Sequence, residues 1–410
     1  MTDIPAYIPR AIEPALAMAA QTFPAVVLTG PRQSGKTTVL AHMGQGSLRK
    51  VFLEAPDVRA AAMADPRGFL DLHPPPLLLD EVQAVPELLP YLKERIDAER
   101  HRAGQWFLTG SESLLLSERI GESLAGRAAI LRLMPLGLDE LLGQPGRPLP
   151  WERPVQDAPP LPLPEGEALW DLLIRGGWPE LAAWPARPHA LWMASMVQTW
   201  LERDVWRVRN VGDLGTFSTF LSALAARSAG LLHQTELGRD IGAASNTVKA
   251  WLSVLEATHM ALLLRPWFAN VGKRLVKTPK VYFADVGLMA WLTGHRDGRS
   301  AALGPLRGQL VETLVVGEVQ RRLLHRGEVP ALWFWRTATG DEVDLLVQVG
   351  TNLVPVEIKA TASPRPELAA PIKRLRAQLG PRVLPGFVVH LGRELLPLGD
   401  GDLALPLRML

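Results

Sequence analysis

The first 142 residues alternate short apolar runs with longer segments of mixed character. Three of the runs, at residues 25–29, 77–79 and 105–108, have the length and apolar continuity of buried strands. The segments between them have the length of helices. Because strands that alternate with helices are typical of a parallel sheet covered on its faces, the pattern predicts an α/β fold.

A proline-dense stretch at residues 143–164 interrupts this alternation. Proline fits neither a helix interior nor a central strand, so the stretch predicts an extended linker or surface excursion that closes the first domain. Beyond it, residues 165–208 are predicted to be mainly helical, with a break at residues 176–179.

Residues 234–255 predict a helix-turn-helix, in which Gly242 ends the first helix and Ser245 caps the second. Strands at residues 261–267 and 280–285 follow, which is the element order of a winged helix. Two interpretations stay open, since a winged helix either binds a DNA groove or only packs against its neighbours. The residues that would face DNA are Ser245, Asn246 and Lys249.

The most specific motif follows the first strand. Residues 30–37 match the phosphate-binding pattern G-x-x-x-x-G-K-[ST], where a strand turns into a helix. The two glycines let the backbone aim its N–H groups at phosphates, and the lysine adds a positive charge. The alternative is a glycine-rich turn without a ligand. The predicted nucleotide-binding residues are Gly30, Pro31, Arg32, Gln33, Ser34, Gly35, Lys36, Thr37 and Thr38.

The second strand ends in two carboxylates, Asp80 and Glu81. In a P-loop ATPase the first holds Mg²⁺ and the second orients the water that attacks the γ-phosphate. The third strand ends in small polar residues, of which Thr109 or Ser111 would face the γ-phosphate. These motifs predict ATP and Mg²⁺ as cofactors. Thr37 and Asp80 are the predicted metal-binding residues, and Lys36 and Glu81 the predicted catalytic ones.

A second group of polar residues lies near the C-terminus. Residues 340–359 predict a β-hairpin in which Asp344 lies opposite Glu357, and Lys359 shares the face of Glu357. Glu312, a lone acid in an apolar helical run, is a fourth candidate because a buried carboxylate needs a partner or a metal. Such a set suits metal-dependent phosphodiester cleavage, with Mg²⁺ on Asp344 and Glu357. The alternative is a surface ion pair between Glu357 and Lys359.

Composition narrows the function classes. The chain has 410 residues, which predicts two to three domains, and it contains no cysteine, which excludes disulfides, thiolate zinc sites and cysteine nucleophiles. No leader peptide and no apolar run of the ~18 residues that span a membrane are evident, so a cytoplasmic location without a membrane partner is expected. The net charge of +2 does not itself argue for nucleic acid. Basic residues concentrate in the second half, as at Lys273, Arg274, Lys277, Lys280, Lys373, Arg374 and Arg376.

The combined motifs resemble a large prokaryotic family of AAA+-like ATP-binding proteins that carry a C-terminal domain of unknown function. The resemblance covers roughly residues 8–365, and its C-terminal part resembles the PD-(D/E)xK restriction-endonuclease superfamily. This chain departs from that superfamily in having Val343, not proline, before Asp344. The matching segments are the phosphate loop, residues 79–83, 109–111, 124–127, 202–205, the helix-turn-helix, residues 282–288, and Glu312, Asp344, Glu357 and Lys359.

The resemblance implies ATP binding and hydrolysis. Arg127 matches the family's Ala-Gly-Arg motif, from which an arginine would reach a γ-phosphate in cis or from a neighbouring subunit, and Arg119 and Arg132 compete for this role. The expected partners are DNA and further copies of the chain, in a hexameric ring by analogy with AAA+ relatives.

The expected organisation has four parts, with a P-loop domain at residues 1–142, a linker at 143–164, a helical and winged-helix domain at 165–300 and a nuclease-like α/β domain at 301–410. The principal hypothesis is a Mg²⁺-dependent ATPase coupled to a module that binds or cleaves DNA, with Glu312, Asp344, Glu357 and Lys359 as its catalytic set. The alternative is an ATP-operated switch or scaffold whose nuclease-like domain does not cleave.

Overall fold

The computed structural model describes residues 6–44, 46, 48–110, 123–202, 214–268, 278–337 and 339–410. Ser111, Arg119, the motif at residues 203–205 and the basic residues Lys273, Arg274 and Lys277 lie outside these ranges. The first domain is an α/β unit with a parallel sheet, as the sequence predicts. Its strands are β1 (Ala25–Thr29), β2 (Arg49–Phe52), β3 (Leu77–Asp80), β4 (Trp106–Gly110) and β5 (Ala128–Arg132). Its helices are α1 (Glu13–Thr22), α2 (Lys36–Met43), α3 (Pro56–Ala64), α4 (Pro66–Leu72), α5 (Leu88–Ala98) and α6 (Leu138–Leu141).

The sheet order β2-β3-β4-β1-β5 places β1 between β4 and β5. All five residues of β1 are buried, and alternate side chains enter different cores. Ala25 and Val27 pack on one face, whereas Val26 and Leu28 pack on the other. A strand that is apolar on both faces has this burial pattern because helices cover both sides of the sheet. The carboxyl ends of β1, β3 and β4 therefore meet at one edge.

The rest of the chain folds around an eight-stranded mixed sheet. Its helices are α7 (Glu167–Arg175), α8 (Pro179–Ala183), α9 (His189–Trp200), α10 (Leu214–Ala225), α11 (Gln234–Ile241), α12 (Ser245–Ala257), α13 (Val286–Leu292), α14 (Gly298–Leu303), α15 (Arg307–His325) and α16 (Ala370–Leu379). Its strands are β6 (Ala261–Pro266), β7 (Lys280–Phe283), β8 (Leu332–Arg336), β9 (Glu342–Val349), β10 (Asn352–Lys359), β11 (Phe387–His390), β12 (Leu396–Gly399) and β13 (Asp402–Pro406). In the first domain, a short 3-10 helix lies at Val82–Ala84. The others lie at Val155–Asp157, Pro366–Ala369, Gly380–Arg382 and Leu407–Met409.

The strands predicted as a wing are part of this larger sheet. The order is β12-β13-β11-β10-β9-β8-β6-β7, so that β6 pairs with β7 on one side and with β8 on the other. In the second pairing, Arg265 lies opposite Trp333 and Pro266 opposite Phe334. The sheet therefore crosses the boundary that the sequence predicts at residue 300. Local patterning could not show this, because the pairing joins residues far apart in the chain.

Residues 143–164, predicted as an extended linker or surface excursion, are anchored to the second domain by their apolar side chains. Leu149 is fully buried, and Leu161 and Leu163 pack into the same core as the helices that follow. The Leu161 N–H donates to the Arg408 carbonyl at 2.7 Å. The prolines keep the segment extended, but the apolar side chains between them anchor it to the second domain.

The helix-turn-helix is present as α11 and α12. Gly242 has φ 71° between the two helices, and a Cβ at Gly238 would lie 2.6 Å from the Ala243 carbonyl oxygen, so the tight turn requires glycine there. The apolar sides of both helices face the core, and the polar start of α12 is exposed. The exposed residues there include Ser245, Asn246 and Lys249.

Candidate nucleotide site and C-terminal acid cluster

The phosphate loop joins β1 to α2 at the carboxyl edge of the sheet. Gly30 has φ 143°, and a Cβ there would lie 2.0 Å from the Leu133 carbonyl oxygen. Gln33 and Gly35 also have positive φ, of 62° and 94°. This curled backbone directs successive N–H groups to one side, which is the shape of an anion-binding nest. Thr38, the third residue of α2, is exposed.

The loop carries donors suited to phosphate oxygens. The Lys36 ammonium is buried and donates to the Gly30 and Pro31 carbonyls at 3.1 and 3.0 Å. The Ser34 hydroxyl is fully buried and has no hydrogen-bond partner among the described residues. A buried orphan hydroxyl costs free energy that a ligand oxygen would recover. The loop therefore fits a nucleotide, which Gly30, Lys36 and the intervening amides would hold.

The predicted metal-binding residues are connected by hydrogen bonds. Asp80 Oδ1 accepts hydrogen bonds from the hydroxyls of Thr37 and Thr109, both at 2.6 Å. Thr109 in turn accepts from the Glu81 N–H at 3.0 Å. Three elements thus meet at one carboxylate, and Mg²⁺ would be held there by Thr37, Asp80 and the nucleotide. Thr109 fixes Asp80 and Glu81, which is a more specific role than the sequence could assign.

Glu81 lies at the end of β3 with φ 55°, a left-handed conformation that is rare for residues other than glycine. Its side chain accepts a hydrogen bond from the Gln83 amide. Strained backbone at a polar residue persists where surrounding contacts hold it, and it concentrates at functional sites. The position beside Asp80 suits a group that orients water.

The predicted arginine is far from the loop within its own chain. Arg127 precedes β5, at the amino edge of the sheet, and forms a bidentate pair with Asp97 at 2.6 and 2.9 Å. Arg132 ends β5 in register with Thr29, the residue before the phosphate loop. Its buried Nε has no partner among the described residues, and burial lowers its pKa. The geometry therefore favours Arg132 over Arg127 as the arginine that would reach a γ-phosphate bound to the same chain.

Arg127→Ala is expected to leave the Kd for ATP unchanged, because Arg127 is separated from the loop by the length of β5. Arg132→Ala is expected to raise that Kd severalfold, on the order of 1 kcal/mol for one lost charged hydrogen bond. Titration with a fluorescent ATP analogue measures both. A raised Kd in Arg127→Ala, independent of protein concentration, would contradict this placement.

A buried polar network, which the sequence did not predict, lies behind the loop. Glu140 accepts from Arg10 Nε at 3.0 Å and from the Gly137 N–H at 2.8 Å. His325, the last residue of α15, places Nδ1 3.5 Å from Glu140 Oε1. Its Nε2 accepts from the Met134 N–H at 3.1 Å, which puts the ring proton on Nδ1, facing Glu140. A helix of the C-terminal region thus reaches the segment that follows β5.

Lowering the pH is expected to destabilise the protein through this network. Burial opposes ionisation of Glu140, but the Arg10 and His325 contacts outweigh it and lower its pKa. Burial also lowers the pKa of His325. Both groups favour their deprotonated form in the folded state, so their contributions are lost as the pH falls, first below about 6.5 and then below about 4.3. Urea unfolding measured across this pH range should show that the free energy of unfolding falls less steeply with decreasing pH in Glu140→Gln than in the wild type.

Two of the four C-terminal candidates, Glu312 and Asp344, are connected by Lys280, which the sequence did not assign to the site. Lys280, at the start of β7, is buried and places Nζ 2.9 Å from Glu312, 2.5 Å from Glu342 and 3.6 Å from Asp344. Tyr282 donates its hydroxyl to Glu312 at 2.7 Å. The sequence did contain a pair of opposite charges that could have indicated this contact. A lone lysine starts an apolar strand, and a lone acid interrupts an apolar helical run.

The hairpin half of this cluster has the predicted register. Lys359 Nζ lies 2.6 Å from Glu357 Oε1 and 3.6 Å from Asp344 Oδ2, and Asp344 accepts from the Ile358 N–H at 2.9 Å. The pair of Glu357 with Lys359 is not on an edge strand, because β10 lies between β9 and β11. Burial and the Asp344 charge raise the pKa of both Glu357 and Glu312. We call Lys280, Glu312, Glu342, Asp344, Glu357 and Lys359 the acid–lysine cluster.

The acid–lysine cluster does not fit a divalent cation as it stands. Lys280 places its ammonium among Glu312, Glu342 and Asp344, and Lys359 contacts both predicted metal ligands, Asp344 and Glu357. The raised pKa values of Glu312 and Glu357 also favour protons on these acids. Within the described ranges, no group of three or more histidine, aspartate or glutamate side chains is arranged to hold a metal. No chemical step through a metal follows from this geometry.

Residues 22–142 match the family model of an AAA domain. This part of the chain is therefore similar to AAA-type P-loop ATPase domains. Residues 307–410 match a domain of unknown function, DUF4143, and residues 166–299 match another, DUF8612. The segment that matches the AAA domain contains the candidate nucleotide site described above.

Relatives of the whole chain carry no assigned function. Uncharacterized proteins of Mycobacterium bovis and Mycobacterium tuberculosis are each 29% identical over 387 residues, covering 93% of this chain and 80% of the relative. Among solved structures, a Walker-type ATPase of Pyrococcus abyssi is 16% identical with a TM-score of 0.44, covering 70% of this chain and 96% of that one. RuvB of Thermotoga maritima is 17% identical with a TM-score of 0.30, covering 62% and 88%. The described residues include no helix with the length and apolar character needed to cross a bilayer.

Proposed function

We propose that this protein is a Mg²⁺-dependent ATPase whose nucleotide state acts on the C-terminal α/β region. The observation that carries the proposal is the junction at Asp80, where the hydroxyls of Thr37 and Thr109 converge and Glu81 is held alongside. Mg²⁺ bound there would neutralise charge on the β- and γ-phosphates together with Lys36. Glu81 would orient the attacking water.

DNA is the proposed macromolecular partner. The support is the start of α12, where Ser245, Asn246 and Lys249 are exposed at the position that a recognition helix presents to a groove. A homo-oligomeric ring is proposed by analogy with AAA+ relatives. The position of Arg127 supports it, since Arg127 lies at the edge of the sheet opposite its own phosphate loop and would serve a neighbour's nucleotide rather than its own.

The acid–lysine cluster favours a non-cleaving switch over a nuclease. Asp344 and Glu357 lie together as cleavage would require, yet Lys359 is paired with both of them, and Lys280 fills the space among Glu312, Glu342 and Asp344. A buried ion network of this kind stabilises one arrangement of the surrounding elements. The C-terminal region would then bind DNA or protein in a nucleotide-dependent way without cutting it.

One experiment separates these functions. ATP turnover by the purified chain is measured with and without single-stranded, duplex and branched DNA, and the same reactions are scored for cleavage in Mg²⁺ and in Mn²⁺. We expect turnover that Lys36→Ala abolishes, stimulation by DNA, and no cleavage. Cuts that disappear in Asp344→Ala would overturn the switch in favour of the nuclease. Turnover retained in Lys36→Ala would contradict the ATPase assignment itself.

A further inference from the structure

The side chain of Arg10 fixes three parts of the nucleotide domain at once. It is 3% exposed, and its Nη1 donates to the Ser34 carbonyl at 2.8 Å. Its Nη2 donates to the Met134 carbonyl at 2.7 Å, and its Nε to Glu140 at 3.0 Å. A guanidinium is planar and its donors diverge at fixed angles, so these acceptors are held at fixed positions relative to one another.

The contact with Ser34 acts on the phosphate-binding face of the loop. The Ser34 carbonyl and the Gly35 N–H belong to one peptide plane and point in opposite directions. A donor that holds the carbonyl on one side therefore points the N–H to the other side, where the nest binds anions. Arg10 also packs against the loop at Gly35, since a Cβ there would lie 3.5 Å from Arg10 Nη1.

Arg10 depends in turn on Glu140, because a buried guanidinium needs a paired charge. Glu140 is oriented by the N–H groups of Ala11 and Gly137, both at 2.8 Å. Its remaining neighbour is His325, whose ring is oriented by the Met134 N–H. His325 belongs to α15, the helix that also carries Glu312 of the acid–lysine cluster. The support of the loop thus includes a residue from the C-terminal region.

We propose that Arg10 is a positioning residue for nucleotide binding, and that His325 makes its position depend on the docking of α15. The proposal rests on the proposed nucleotide function of the loop. It predicts that the C-terminal region raises the affinity for ATP through contacts behind the loop. Breaking the contact of His325 with Glu140 would then alter nucleotide affinity, whereas breaking other buried contacts of α15 would not.

The test compares Arg10→Lys, His325→Phe and Glu318→Gln. Arg10→Lys keeps a positive charge near Glu140 but cannot reach all three acceptors, and His325→Phe keeps the ring without its nitrogen atoms. Glu318→Gln is the matched control, because Glu318 is equally buried on α15 and accepts from the Leu138 N–H at 3.1 Å, without contacting Ser34. Titration with a fluorescent ATP analogue gives the Kd, and thermal unfolding gives the Tm.

We expect the Kd for ATP to rise about tenfold in Arg10→Lys and by a smaller factor in His325→Phe, as one charged or neutral hydrogen bond allows. Glu318→Gln should lower the Tm comparably and leave the Kd unchanged. The proposal would be overturned if folded Arg10→Lys bound ATP with the Kd of the wild type, or if the Kd rose as much in Glu318→Gln as in Arg10→Lys.

Hydrogen exchange separates this proposal from the proposed function. In nucleotide-free protein, the amides of residues 33–36 should exchange faster in Arg10→Lys than in Glu318→Gln. If the wild type failed to bind ATP at all, the proposed function would fail, and faster exchange would still establish the positioning of the loop. Unchanged exchange would refute the positioning role even where ATP binds as expected.

Discussion

Glu81→Gln is expected to keep ATP bound while hydrolysis falls by on the order of a hundredfold or more. The amide of glutamine preserves the shape of the side chain but cannot accept the proton or polarise the attacking water. Binding should persist because the backbone of Glu81 is fixed independently, through its N–H on Thr109. Phosphate release measures hydrolysis, and titration with a fluorescent ATP analogue measures binding.

Glu87→Gln is the control for this change, since Glu87 is an exposed carboxylate a few residues further along the same connection. Its turnover should equal that of the wild type. Hydrolysis at a near wild-type rate in Glu81→Gln would show that another group orients the water. A loss of ATP binding as well would instead assign Glu81 to the binding of the nucleotide or its metal.

Lys280→Met is expected to lower the free energy of unfolding by about 3–5 kcal/mol, because it leaves buried carboxylates without their counter-charge. The methionine retains the apolar stem of the lysine, so the change acts mainly on charge. The vacated position lies among three carboxylates and should then accept a cation. Urea unfolding of nucleotide-free protein with and without Mn²⁺ should show stabilisation of the variant by Mn²⁺ and little effect on the wild type.

The double variant Lys280→Met, Asp344→Asn tests whether unpaired carboxylates cause the lost stability and the response to Mn²⁺. It removes one of the acids that Lys280 neutralises, so it should recover part of the lost stability and lose the response to Mn²⁺. If Mn²⁺ stabilised the wild type as much as Lys280→Met, the acid–lysine cluster would bind metal with Lys280 in place. The argument for a non-cleaving module would then fail.

The shape of the phosphate loop was predictable because its residues are contiguous. The P-loop binds phosphate through successive backbone amides, so one short pattern specifies the shape, and Asp80 follows a strand whose apolar character is visible. The register of Asp344 against Glu357 was predictable for the same reason, since a hairpin turn sets the pairing of adjacent strands. Sequence patterns are sufficient to predict features that are formed by residues close together in the chain.

The remaining features depend on pairings between distant residues. Lys280 of β7 reaches Glu312 of α15 and Glu342 of β9 only in the folded chain, and Arg10 meets Glu140 only in the folded domain. A single charge in an apolar segment indicates that a partner exists without indicating which one. Proline content likewise predicted an extended backbone at residues 143–164 but not its burial against the second domain.

The pairing of β6 with β8 limits which fragments of the protein can be expressed separately. A fragment that ends near residue 300 would leave one side of β6 unpaired, and an exposed strand edge is a template for aggregation. A fragment that begins near residue 301 would lack β7, and with it the lysine that neutralises the acids of α15 and β9. The two regions that sequence families treat as separate therefore form one folding unit, and neither is expected to be stable when expressed alone.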